Sequence, residues 1–355
     1  MPADIARYFD NAATTQVDPR VVAEMMPFFA ADFGNPHSLH AFGKRAEEAV
    51  ELARSRVAQL LGAEDPSQIV FVAGATEANN WVLRAFPGAA VSPFEHSSIY
   101  ETARQLGLPW LRNEGLALYA DRRHPLVSVM AVNNEIGTIW DVRSWRAFAD
   151  FLHSDLTQAA GKLPVTVEGL DYASISAHKF YGPKGIGALY AREHAPPPFM
   201  TGGDQEHGRR AGTLNVPGIV GMGAAAAIAL DDLEPNLDHA ATARATIEAV
   251  LRGCSDLKIN GGSLVSPYIL SLSFLGVEGE TLVIELDRLG FAISSGAACS
   301  SRSTEPSHVL KALNMEHAWL RGTVRISIGK YNDCKSCEKL GVTLLESVEK
   351  LRRML

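Results

Sequence analysis

Apolar residues recur along the chain in two spacings, and these predict alternating helices and strands. Apolar positions three or four residues apart predict helices in PRVVAEMMPFFAADF, ATEANNWVLRAF, SWRAFADFL and HAFGKRAEEAVELARSRVAQLLG. Gly62, at the end of the last of these, is expected to be the helix C-cap. Short apolar runs predict buried strands in QIVFVAG, PLVSVMAVNN, YASISAH and GIGALYA. Such alternation predicts an α/β fold with a mainly parallel sheet covered by helices.

The pattern changes from about Gly218 onward, which predicts a second domain. IVGMGAAAAIALDDLEPNLDHAATARATIEAVLRG is predicted to be one long helix. After it, the strands YILSLSF and TVRISIG are interspersed with the helices GETLVIELDRLG and EKLGVTLLESVEKLRRML. We therefore predict a large domain over residues 12–228. A smaller α+β domain is predicted over residues 229–355, completed by residues 1–11.

Composition and charge narrow the function classes. Of the 355 residues, 46% are hydrophobic and 21% are charged, as is ordinary for a globular protein. The net charge of -7 argues against a broad nucleic-acid or membrane surface. No apolar run approaches the roughly 18 residues of a membrane span, and MPADIARYFDNAATT lacks the apolar core of a signal peptide. Four cysteines are too few for a disulfide framework, so a cytoplasmic location is predicted.

A lysine at the end of a predicted strand is the first indication of chemistry. Lys179, in SAHKFYGPKG, lies where open α/β sheets bind their ligands. It could form a Schiff base with a carbonyl cofactor, or it could be an ordinary surface lysine. VAGATEANN leads a strand through Gly74 into a helix whose first amides, at Ala75 and Thr76, could bind phosphate. Asp155, in HSDLTQ after the predicted helix SWRAFADFL, could pair with a protonated ring nitrogen or be a turn residue.

Together these groups supply what pyridoxal 5′-phosphate (PLP) needs from a protein: a lysine, phosphate-binding amides and a carboxylate. The chain resembles the cysteine desulfurases of the NifS/IscS type, which are class-V aminotransferases among the fold-type I PLP-dependent enzymes. The resemblance runs from YFDNAATT to RISIG. Its motifs occur in the family's order: GATEANN, EHSSI, VNNEIGT, TQAAGKLP, SAHKFYGPKGIGALY, RRAGTLNV and SSGAACSS.

The resemblance implies a role for each residue around the cofactor ring. Lys179 binds PLP covalently and moves protons, and His96 stacks on the ring and assists. Asp155 pairs with the pyridine nitrogen, while Gln158 hydrogen-bonds the phenolic oxygen. Leu156 is larger than the small residue expected at its position, which predicts altered support for the ring.

The resemblance also implies how the phosphate and the substrate are held. The phosphate is bound by residues of two motifs and by one residue of a second subunit: Ala75, Thr76, Ser176, His178 and, from the neighbour, Thr213. The substrate is bound by three residues: Asn11, Asn134 and Arg325. A homodimer is therefore predicted as the active unit, and no metal is expected.

One thiol lies in surroundings unlike those of a structural cysteine. Cys299, in SSGAACSSRS, has small and polar neighbours typical of a mobile loop, not the apolar neighbours of a packed cysteine. The resemblance implies that Cys299 takes sulfur from L-cysteine as a persulfide and leaves L-alanine. It then delivers the sulfur to an acceptor protein, such as an iron–sulfur scaffold or a thiolation enzyme.

Two other function classes stay open beside a PLP-dependent cysteine desulfurase. A selenocysteine lyase or a transaminase of the same fold needs no thiol acceptor, and a non-catalytic member would only bind partners. Cys334 and Cys337, in CKSC, have the spacing of redox and metal sites. Because no second pair lies at zinc-site spacing, we expect them to be incidental.

Overall fold

The computed structural model describes residues 4–295 and 307–354. The α-helices are α1 (Pro19–Met25), α2 (Pro27–Ala30), α3 (Ala41–Leu61), α4 (Ala75–Ala85), α5 (Ser97–Leu106), α6 (Val216–Asp231), α7 (Leu233–Leu251), α8 (Gly279–Arg288), α9 (His308–Ala312), α10 (His317–Arg321) and α11 (Cys334–Arg352). The strands are β1 (Ile69–Val72), β2 (Ala90–Val91), β3 (Arg112–Glu114), β4 (Ala117–Tyr119), β5 (His124–Ser128), β6 (Ala149–Asp155), β7 (Tyr172–Ser176), β8 (Gly187–Ala191), β9 (Leu257–Asn260), β10 (Ile269–Phe274), β11 (Ser294–Ser295) and β12 (Thr323–Ser327).

The larger sheet has the strand order β1-β8-β7-β6-β5-β2. Strands β2, β5, β6 and β7 are parallel, and β8 and β1 are antiparallel to their neighbours. Alternate residues of β1 face opposite layers: Ile69 and Phe71 pack with α3 and α6, whereas Val70 and Val72 pack with α4 and α5. Gly62 caps α3 with a left-handed φ of 63°, as predicted. The predicted α/β class, with helices on both faces of a mainly parallel sheet, is confirmed.

The helix predicted for SWRAFADFL is wrong. Val142–Phe148 forms a 3₁₀ helix, and the chain then enters β6, which pairs with β5 on one side and β7 on the other. Strand pairing on both sides outweighs the helical spacing of a short apolar segment. Asp155 therefore ends a central parallel strand and does not follow a helix.

The single long helix predicted after residue 218 is also wrong, because α6 and α7 meet at an angle of 72°. Pro235 lies in the first turn of α7, where it lacks an N–H and where its ring would clash with the carbonyl four residues earlier, at the end of α6, if the helix continued straight. No single helix in the described ranges is long and apolar enough to cross a membrane. Only α6 and α7 taken together, as a bent pair, reach that length and apolar composition among these residues.

A second, antiparallel sheet has the order β11-β12-β10-β9. Its core is shared with α7, α8 and α11 and includes Phe9 from the N-terminal segment. The Phe9 N–H donates to the Ala292 carbonyl at 2.8 Å, and its own carbonyl accepts from Ser327 N–H at 2.7 Å. The N-terminal segment thus packs on the smaller sheet, while the boundaries at residues 12, 228 and 229 stay predictions.

Candidate active site

The candidate site lies where the parallel strands of the larger sheet end. Strand β6 ends at Asp155 and β7 ends at Ser176, and a 3₁₀ turn over Ala177–Lys179 follows β7. A cavity of about 270 Å³ opens at these ends. It is lined by most of the residues predicted for the site: Ala75, Thr76, His96, Asn134, Asp155, Gln158, Ser176, His178 and Lys179.

Asp155 is held in the cavity wall by neutral donors. The residue is 3% exposed, and its Oδ2 accepts from Asn79 Nδ2 at 2.8 Å while its Oδ1 accepts from Thr157 N–H at 2.9 Å. Asn79, fully buried on α4, was not predicted; its only signal is an amide on the helix face that also carries Ala75. A carboxylate has about four acceptor positions, so Asp155 retains the capacity to pair with a protonated ring nitrogen.

Backbone carbonyls of the N-terminal segment accept hydrogen bonds from the amine of Lys179. Lys179 Nζ donates to the carbonyls of Ala12 at 2.5 Å and Ala13 at 2.9 Å. Gln158 Nε2 also donates to Ala12, at 2.9 Å, and its Oε1 accepts from Lys162 Nζ at 2.8 Å. Burial and nearby positive charges lower the pKa of Lys162 to about 7. Sequence reasoning missed Lys162, whose only signal is its i,i+4 spacing from Gln158.

His96 is the N-cap of α5 and also lines the cavity. Its Nδ1 accepts from Ser98 N–H at 3.2 Å, so Nε2 carries the proton of the neutral ring. Burial lowers the pKa of His96, although the Asp155 carboxylate opposes that shift. The imidazole is therefore neutral at pH 7 and has a proton to donate.

One side of the cavity is suited to an anion. Helix α4 begins beside Gly74, an N-cap residue with no side chain to bond the first amides. The Ala75 N–H donates to Ser176 Oγ at 2.8 Å. An adjoining cavity of about 670 Å³ is lined by Ser176, His178 and Lys184. A helix N-terminus beside a hydroxyl and a lysine fits a phosphate group.

A buried arginine with unused hydrogen-bonding capacity does not line the cavity itself but bonds Asn134, which does. Arg325, on β12, donates to Asp10 Oδ1 and to the Asn134 carbonyl, both at 2.8 Å. Among the described residues, neither Arg325 Nε nor Asn134 Oδ1 has a hydrogen-bond partner, and both atoms are buried. Buried polar atoms are rarely left unpaired, so this pair fits a polar ligand. Asp10 was not predicted.

Several predicted site residues, Arg325 among them, do not line the cavity. Thr213 is exposed in the loop before α6. Asn11 is buried, and its amide donates to the carbonyls of Tyr8 and Ser327 at 3.0 and 2.9 Å. Cys299 lies outside the described residues.

The prediction that Leu156 disturbs the ring site is not supported by its position. Its side chain is buried in the core between the larger sheet and helices α3 and α6. Thr157, the next residue, lines the cavity instead.

The CKSC pair lies at the start of α11. Cys334 is exposed and Cys337 is buried, and burial raises the pKa of the Cys337 thiol to about 12. A thiol with so high a pKa is a poor nucleophile at neutral pH. In the described ranges, no group of three or more His, Cys, Asp or Glu side chains could hold a metal ion.

A buried histidine links three of the parallel strands, β5, β6 and β7, beneath the site. His153, on β6, hydrogen-bonds Ser128 Oγ of β5 at 2.9 Å and Ser174 Oγ of β7 at 3.0 Å. The ring is fully buried, and burial lowers its pKa to about 4. The folded protein therefore holds His153 neutral across a wide pH range.

This histidine predicts acid sensitivity. Between the ordinary histidine pKa of 6.5 and the folded pKa of about 4, only unfolded His153 binds a proton, so acid favours unfolding. The free energy of unfolding should fall by about 1.4 kcal/mol per pH unit for this group. Urea unfolding at pH 7 and pH 5 should show a smaller pH dependence in His153→Gln than in wild type. Equal dependence in both proteins would contradict this assignment.

Comparison with known proteins places the chain in a family. Residues 7–340 match the class-V aminotransferase model, so the chain belongs to that family. It is 41% identical over 382 residues to cysteine desulfurase IscS of Shewanella woodyi, across 98% of this chain and 94% of that protein. A solved structure named NifS-like protein has a TM-score of 0.86 and 34% identity, covering 98% of this chain and 99% of the other. A structure of SspA in complex with cysteine has a TM-score of 0.75 and 30% identity, covering 92% and 100%.

Proposed function

We propose that this protein is a PLP-dependent cysteine desulfurase that converts L-cysteine to L-alanine and retains the sulfur. Relatives that span nearly the whole chain carry the name cysteine desulfurase, and a solved relative is in complex with cysteine. The single structural observation that carries the proposal is the cavity lined by both the Lys179 amine and the buried Asp155 carboxylate. Sequence, fold and relatives agree on this enzyme class.

The residues present fit PLP. Asp155 would hold the ring nitrogen in its protonated form, and Gln158 would donate to the phenolic oxygen. The amides at the start of α4, with Ser176, would bind the phosphate. Bound PLP supplies an electron sink that acidifies the Cα proton of an amino acid.

The chain's own groups then bind the substrate and move protons. Lys179 Nζ, positioned by the carbonyls of Ala12 and Ala13, would accept the substrate Cα proton. His96 is neutral and can donate its Nε2 proton. Arg325, which bonds Asn134 and whose Nε has no partner among the described residues, would bind the substrate carboxylate.

Cys299 would carry out the sulfur transfer, an assignment that rests on the sequence alone. Its thiolate attacks the substrate sulfur, so an S–S bond forms while the Cβ–S bond breaks. The electron pair of the broken bond stays on the three-carbon skeleton, which takes up protons and leaves as alanine. The enzyme keeps the persulfide Cys299–S–SH for an acceptor such as an iron–sulfur scaffold or a thiolation enzyme.

The proposal is tested by incubating PLP-loaded protein with L-cysteine and a thiol reductant. We expect alanine and sulfide in equal amounts. Alanine from L-selenocysteine but not from L-cysteine would instead indicate a selenocysteine lyase. Release of alanine from neither substrate would contradict both proposed activities.

The active unit is proposed to be a homodimer. Large apolar side chains are exposed near α1, α2 and the start of α3, and Leu39 is 92% exposed. Phe33 and Phe42 lie together in this region, with ring centroids 5.6 Å apart, and Met26 and Phe29 are exposed nearby. Exposed apolar groups of this kind mark interaction surfaces.

A dimer would let exposed Thr213 bind the phosphate in the neighbouring subunit. We expect sedimentation as a dimer and about tenfold weaker PLP binding in Thr213→Val, the effect of one lost hydrogen bond. Thr242→Val, an exposed position on α7, is the matched control and should bind PLP as wild type does. A fully active monomer would contradict the assignment.

A further inference from the structure

A buried lysine next to the site has no role in the mechanism above. Lys162 is 4% exposed, and its Nζ donates to Gln158 Oε1 at 2.8 Å. Lysines are almost never fully buried without a partner. The charges that act on its pKa are those of Lys179 and Arg325, both positive. The Gln158 amide is thus the polar partner that the structure supplies to this buried group.

One hydrogen-bond partner of the Gln158 amide is a donor and the other is an acceptor, and together they fix the orientation of the amide. A charged lysine only donates hydrogen bonds, so Lys162 must face Oε1. The carbonyl of Ala12 only accepts, so it must face Nε2, at 2.9 Å. One N–H of Nε2 remains, and Gln158 lines the cavity.

The backbone between these residues explains why they meet. The amides of Ala159 and Ala160 bond back to Leu156, and those of Lys162 and Leu163 bond back to Ala159. These two successive turns bring the side chains of Gln158 and Lys162 together. Gly161 lies between the two residues with a left-handed φ of 70°, and a Cβ there would approach Phe180 Cβ to 2.7 Å.

We propose that Lys162 is a positioning residue, which holds the Gln158 amide with its N–H groups toward the phenolic oxygen of bound PLP. The inference rests on the proposed function, because it assumes that PLP occupies the cavity. Burial lowers the pKa of Lys162 to about 7, but both forms of the amine retain an N–H for Oε1. Through Gln158, Lys162 sets the protonation equilibrium of the PLP-loaded protein.

A double-mutant cycle on the loaded protein tests this role. Lys162→Met keeps the side-chain length but removes the donor, and Gln158→Leu removes the amide. The readout is the pH midpoint of the visible absorption change, not turnover. An N–H that donates to the negative phenolic oxygen stabilises that oxygen, so the oxygen attracts the proton next to it less strongly. Because each single change removes this donation, each should raise the pH midpoint by about one pH unit. The double variant should raise it no further than the larger single change.

Additive shifts would overturn the proposal, because they would mean that Lys162 acts through its charge and not through Gln158. An unchanged midpoint in Lys162→Met would also overturn it. If Lys162→Met does not fold, Lys162→Gln replaces it, because the amide keeps a donor without the charge. Its midpoint should then stay nearer to wild type than that of Gln158→Leu, and an equal shift would refute the role. A wild-type protein that gains no visible band with PLP would overturn the proposed function as well.

Discussion

Lys179→Ala should reduce alanine formation from L-cysteine by about 10³-fold or more, because in the proposed mechanism one amine both anchors the cofactor and moves the Cα proton. The amine lies 2.5 and 2.9 Å from the carbonyls of Ala12 and Ala13. PLP should still bind through the amides of α4 and Asp155, but more weakly and without a covalent bond.

Borohydride reduction tests the proposed covalent attachment of PLP to this lysine. In wild type it should fix PLP irreversibly to the peptide that contains Lys179, and in Lys179→Ala it should fix none. Lys335→Ala, an exposed lysine on α11, is the matched control and should be labelled and active like wild type. Retained covalent labelling or near wild-type turnover in Lys179→Ala would contradict the site.

Cys299→Ser should bind PLP and L-cysteine normally yet lose sulfide formation by about 10³-fold or more, as is typical when a nucleophile is removed. The serine hydroxyl cannot accept sulfur as a persulfide, whereas the groups that bind the cofactor are unchanged. The visible spectrum should still respond to added L-cysteine, which shows that substrate enters.

Cys334→Ser is the control for this change, because Cys334 is exposed and does not line the candidate site. It should leave turnover nearly unchanged. Near wild-type sulfide release by Cys299→Ser would exclude that thiol as the acceptor. Loss of turnover in folded, PLP-loaded Cys334→Ser would instead implicate the CKSC pair.

The motif residues could be found in the sequence because each lies just after the end of a strand or at the start of a helix. Lys179 follows β7, and Ala75 opens α4, so local pattern and the family resemblance agreed. The position of Asp155 was predicted less well, because a short apolar segment with helical spacing became a strand once β5 and β7 paired with it.

The residues that sequence reasoning missed support the site through distant contacts. Asn79 bonds Asp155 across 76 positions, and Asp10 bonds Arg325 across 315 positions. Neither polar residue has a local signature, because the tertiary fold creates its partner. Lys162 is the exception, since its spacing from Gln158 was visible, but nothing local shows that both side chains are buried.

Leu156 shows a different limit of sequence reasoning. The sequence shows the size of Leu156 but not whether its side chain faces the core or the cavity, because the chain leaves β6 at Asp155 and turns. In the structure the side chain packs into the core under α3 and α6, and Thr157 faces the cavity.

The most direct test of the account is mass spectrometry of PLP-loaded protein after brief incubation with L-cysteine and without reductant. We predict that the peptide containing Cys299 gains the mass of one sulfur atom, that alanine appears in equal amount, and that Lys179→Ala shows neither. Alanine without sulfur on Cys299, or sulfur on Cys299 in Lys179→Ala, would contradict the account.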